Sequence, residues 1–124
     1  MDIEIKFGEQ GRIIPYLHGR EVTMNESPFL IFLATAGMCS AVFVQAFLQQ
    51  RGMSTDGVSI IQRMDYNQMT NMVGKIDIHV DLPAGFPEKY NNAIKNVVNQ
   101  CPVKRHLADA PSFNVITNFD KVES

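Results

Sequence analysis

From Pro28 to Leu48 the chain runs for 21 residues without a charge, PFLIFLATAGMCSAVFVQAFL. As an α-helix this run extends about 32 Å, enough to cross a bilayer. Thr35, Gly37, Ser40 and Gln45 interrupt it, however, and the segments on either side are amphipathic. Their apolar faces need a shared core, which a membrane-spanning reading would strand. The run therefore predicts a central helix covered by the protein's own sheet. Ser27 is placed to cap its N-terminus with Pro28 at the first helical position, and Arg51 and Gly52 to close it.

The remaining segments read as the cover for that helix. Ile3, Ile5 and Phe7 alternate with Asp2, Glu4 and Lys6, the period of a strand with one wet face. Gly8-Glu9-Gln10-Gly11 is a turn, and Arg12 opens a second strand through Ile14, Tyr16 and His18. Val58, Ile60, Met64 and Tyr66 share one strand face. Ile76, Ile78, Val80 and Leu82 alternate with Lys75, Asp77, His79 and Asp81 to complete a hairpin. Tyr90, Ile94, Val97, Val98 and Cys101 recur at helical spacing, and Pro102 ends that helix. Phe113, Val115 and Thr117 predict a final strand. The order ββ–α–ββ–α–β predicts an α+β fold, helices packed on a mostly antiparallel sheet, as one domain over residues 1–124.

Charge and cysteine content narrow the function. The formal net charge is −2 and the pI about 5.8. Nucleic-acid binding is not expected, because there is no basic excess to neutralise phosphates. The opening residues carry no basic stretch followed by an apolar one, so no secretory signal is expected. Two cysteines with no CxxC motif give neither a disulfide scaffold nor a zinc site. A soluble cytoplasmic protein with two free thiols, no metal and no membrane association is the expectation.

Cys39 sits in the middle of the uncharged run, beyond reach of the helix N-terminus. It reads as a core thiol, inert unless another element brings a cation. Cys101 precedes Pro102, so it reads either as a buried cysteine ending a helix or as the N-cap of a following turn. In the second reading its sulfur lies near the Val103 and Lys104 amides, with Lys104 and Arg105 adding positive charge. His79 reads as solvated, and Glu88, Lys89, Asp77 and Asp81 as wet faces. No GxSxG, phosphate loop or dinucleotide fingerprint occurs. The residues alone favour a two-thiol redox site.

Three stretches carry a resemblance: Ser27-Pro28 with Leu30 to Ala41, Gly74 to Val80, and Asn99-Gln100-Cys101-Pro102-Val103. Together they resemble the OsmC/Ohr family of osmotically inducible and organic hydroperoxide resistance proteins, in its compact OsmC-like branch. The resemblance implies antiparallel sheets wrapped around a long buried helix in an intertwined homodimer, with active sites at the subunit interface. It implies a cofactor-free, thiol-dependent peroxidase that reduces organic hydroperoxides in protection against oxidative or osmotic stress. Cys39 would be the peroxidatic residue and Cys101 the resolving one, with regeneration by an external dithiol. Arg12, in the loop between the first two strands, would be the activating arginine, and Arg20 the second candidate. One departure stands out. The characterised peroxidases carry a glutamate after the proline, and here that position is Phe29, with Glu26 the acid able to substitute. The departure keeps two alternatives open: a family member that binds a small apolar ligand beneath Cys39, and a structural dimer with inert cysteines.

Overall fold

The computed structural model describes residues 1–120. Its strands are β1 (Asp2–Phe7), β2 (Ile13–Leu17), β3 (Arg20–Glu21), β4 (Ser59–Asn67) and β5 (Met72–Asp81). They form one antiparallel sheet in the order β3-β2-β1-β4-β5. The helices are α1 (Pro28–Gln50), α2 (Asn91–Asn99) and α3 (Pro102–Ala108). The α+β class and the long helix are as expected from the sequence.

The ends of α1 follow local chemistry. The Leu30 N–H donates to Ser27 Oγ at 3.3 Å, and Pro28 holds the first turn. At the other end Gly52 takes a left-handed conformation (φ 64°), and the Met53 N–H donates to the Leu48 carbonyl at 2.9 Å. Only glycine adopts that conformation without a Cβ penalty, and it satisfies carbonyls the helix leaves open.

Packing follows strand register. Ile5 pairs with Pro15 on one side and Ile60 on the other. Ile3, Ile5 and Ile60 are fully buried against Leu33, Ala34, Ala41, Val44 and Leu48 of α1. Each such isoleucine contributes about 1.5–3 kcal/mol by leaving water. Gly37 lets α1 approach closely: a Cβ there would stand 3.1 Å from Ile5 Cδ1 and 3.3 Å from Gln62 Oε1. Gln62 occupies an inward slot that alternation assigns to an apolar residue. Its Nε2 donates to the Leu33 carbonyl at 2.9 Å, while its buried Oε1 has no partner.

Three expectations need revision. Phe113 and Val115 form no strand; they are 89% and 88% exposed. No strand lies beside them to complete a ladder, and apolar alternation without a neighbour leaves the backbone unpaired. Tyr66 does not share the buried face of β4, because the register shifts between Asp65 and Tyr66 and leaves its ring exposed. The chain also covers only one side of α1. That helix is long and apolar enough to cross a membrane, and its outer stripe of Phe32, Thr35, Val42 and Ala46 is exposed.

The close approach at Gly37 is testable. Gly37→Val forces two further methyl groups toward Ile5 and Gln62 and should destabilise the fold by about 2 kcal/mol, read as a lower urea midpoint at unchanged m-value.

Candidate active site

Cys39 lies on the outward side of α1, one position round from the residues that face the sheet, and is half-buried. What covers it is the start of α3. Pro102 supplies the pre-set first turn, and Cys101 takes the N-cap position with its side chain fully buried. The result makes the two thiols neighbours: Cys101 and the Val103 backbone N–H are the groups that act on the Cys39 thiol.

Part of the reading of Cys101 is corrected here. Cys101 is the N-cap residue of α3, yet its sulfur makes no capping hydrogen bond. The Val103 amide acts on Cys39, lowering its pKa. That amide is an open donor at the first turn of a helix, so α3 offers Cys39 a group that stabilises a thiolate. Opposing it, burial and the adjoining Cys101 push the Cys39 pKa up, burial being the larger cause. The Cys101 side chain thus favours the neutral form of Cys39.

The same turn walls a groove. Phe32, Pro102, Val103, His106, Leu107, Ala110, Pro111 and Phe113 line an open groove of about 390 Å³. Phe32 stands two helical turns before Cys39 on the same side of α1, and the Val103 amide that acts on Cys39 belongs to the groove wall. His106 is held at its rim, with Nδ1–H donating to the Pro102 carbonyl at 2.6 Å. Sequence reasoning did not single out these wall residues as a site. The available signal was Val103 and Leu107 spaced one turn apart after a helix-starting proline.

The arginines separate. Arg12 lies on the other flank of α1, in a groove of about 290 Å³ that it shares with Glu21, Thr35 and Met38. This is the helical turn that carries Cys39, but among the described residues no guanidinium is one of the groups acting on its thiol. Arg20 is paired with Glu26. That pair sits at the N-terminus of α1, about 16 Å along the axis from Cys39, and Phe29 stacks on Phe32 with ring centroids 6.2 Å apart. Within one chain, Arg20 and Glu26 therefore hold each other rather than the thiol. His79 is exposed on β5. Among the described residues no three His, Cys, Asp or Glu side chains converge as a metal site.

A family model described as OsmC-like protein matches residues 24–116. The match spans both cysteines and the groove; Arg12 precedes it. Comparison with curated proteins and with solved structures gives no match.

Removing the neighbouring thiol isolates its effect. Cys101→Ala should lower the pH midpoint for alkylation of Cys39, since the hydrogen bond favouring the neutral form is lost while the Val103 amide remains. Mass-spectrometric alkylation rates against pH measure the direction.

Proposed function

Because the chain belongs to the OsmC-like protein family, we propose that it is a thiol peroxidase that reduces organic hydroperoxides with Cys39 and Cys101. The observation that carries this reading is a half-buried thiol neighbouring a fully buried one, next to Pro102 and Val103 of an apolar groove. The family is associated with peroxide and stress resistance, and the two thiols supply matching chemistry.

The Cys39 thiolate attacks the distal oxygen of the hydroperoxide, and the O–O bond breaks. The sulfur leaves as a sulfenic acid, and the alkoxide takes a proton to become an alcohol. Cys101 then attacks the sulfenic sulfur, water departs, and a Cys39–Cys101 disulfide forms. An external dithiol restores both thiols by exchange. Resolution joins two thiols that are already neighbours in the reduced protein. The groove walls favour an organic tail over hydrogen peroxide, since apolar lining rewards apolar burial.

The reading includes a homodimer in the cytoplasm. The uncovered stripe of α1 and the exposed Phe113, Val115, Ile116 and Phe119 are apolar side chains of the kind that mark an interaction surface. A second copy covers it and brings a second Arg12 to the uncovered side of α1. One observation favours the ligand-binding alternative: the Cys39 pKa is raised, with no guanidinium among the groups acting on it.

One equivalent of an organic hydroperoxide should consume both thiols and yield an intramolecular disulfide, faster than hydrogen peroxide does. Cys101→Ser should accumulate a sulfenic acid on Cys39, and Cys39→Ser should abolish the first step. Thiols that stay free in excess organic hydroperoxide overturn the peroxidase and leave the ligand-binding reading. For assembly, sedimentation at micromolar concentration should give a dimer burying at least about 1,000 Å²; a stable soluble monomer removes that part of the proposal.

A further inference from the structure

We infer that residues 112–117 form an arm that adds a strand to the free edge of β5 in a second copy of the chain, an inference that rests on the homodimer proposed above. The arm begins after Pro111 and ends at a turn. There the Thr117 N–H donates to Asp120 Oδ2 at 2.8 Å, and the Asp120 N–H donates to the Thr117 carbonyl at 3.1 Å. Among the described residues, no backbone hydrogen bond engages residues 112–116. Phe113 and Val115 share one side of an extended chain and are 89% and 88% exposed. Phe, Val, Ile and Thr are the residue types that fit a pleated, half-buried surface. Backbone groups and apolar side chains here both lack partners, and a β-ladder satisfies both at once.

The sheet offers the complementary half. One of its edges is β3, two residues long; the other is β5, ten residues long. The cover over the sheet also stops at β5. On β4, Ile60, Gln62 and Met64 are buried, whereas their register partners Val80, Ile78 and Ile76 on β5 are each half-buried. A strand laid along β5 with Phe113 and Val115 inward extends that apolar face. Residues 112–116 span about 17 Å when extended, so the arm covers about half of the edge.

The position of the arm selects the second copy as its partner. Phe113 lines the groove with Phe32, which belongs to the exposed outer stripe of α1. Ile3, Ile5 and Ile60 pack on the inner side of that helix, so α1 stands between the arm and its own sheet. A copy seated on the outer stripe meets no such barrier. The exchange is reciprocal: each copy has one arm and one long edge, and a twofold pairing leaves neither open. The assembly therefore closes at two. It also bears on the thiol site. Pro111 and Phe113 belong to the groove that includes Val103, whose amide acts on Cys39, so the partner's sheet fixes the outer end of that groove wall.

Mixed-isotope cross-linking tests the inference in the full-length protein. An unlabelled chain carrying a photo-crosslinker at Val115 is mixed with wild type labelled with heavy nitrogen, and the joined peptides are identified by mass. Position 115 should join peptides of β5 in the labelled copy. In sedimentation, Val115→Lys should weaken the dimer at least about tenfold, because an ammonium enters an apolar face. Asn114→Lys, on the opposite side of the strand, should change it by less than about twofold. Both positions are exposed within one chain, so circular dichroism of the two variants should match wild type. Cross-links to β5 of the same copy, or only to other elements, overturn the inference. So do equal effects of the two lysines, or no effect of either, on a dimer that persists; each of these outcomes leaves the homodimer standing. A wild-type chain that stays monomeric overturns the homodimer and the arm together, and the hydroperoxide titration then judges the cysteines separately.

Discussion

The structure depends on covering a helix that has no charge between Pro28 and Leu48. Hydrophobic burial is non-directional, so it requires cover but does not choose its source. The sheet supplies the inner side. Ile3, Ile5 and Ile60 meet α1 where Gly37 lets the backbone come near, and α2 closes the flank with Ile94 and Val98. On the outer side only the first turn of α3 reaches α1 from within the chain. Cys39 lies where that limited cover ends, which is why one thiol is half-open while its neighbour is fully closed.

This placement sets the electrostatics. A thiol at mid-helix gains nothing from its own helix ends, so every influence on Cys39 is imported. α3 brings one group of each sign of effect: the Cys101 thiol, which favours the protonated form, and the Val103 amide, which favours the thiolate. The β1–β2 loop brings a cation to the same turn of α1 from the opposite flank. The groups shown acting on this sulfur thus come from the start of α3, while the helix that carries it supplies rigidity and no charge.

Legibility from sequence followed the range of the interactions. The ends of α1 were readable because Ser27, Pro28 and Gly52 act on backbone groups within one turn. The β4–β5 hairpin was readable from alternation, and the end of α2 from Pro102. Tertiary outcomes were not. Alternation could not show that Gln62 fills a core slot, because its Nε2 is accommodated by a carbonyl 29 residues away in sequence. Nor could it show the register shift that turns Tyr66 outward, or that Phe113 and Val115 lack a neighbouring strand. The two cysteines could be singled out by type and context, but their proximity depends on how α3 folds back over α1.

The short helix α3 carries one more consequence. It buries no side chain of its own, and no side-chain hydrogen bond caps it. Local stability tracks buried contact, so such a segment opens at a small fraction of the free energy needed to unfold the core. Hydrogen exchange should therefore be faster for its amides than for those at the centre of α1. The wall over Cys39 is therefore the least protected part of the helical layer.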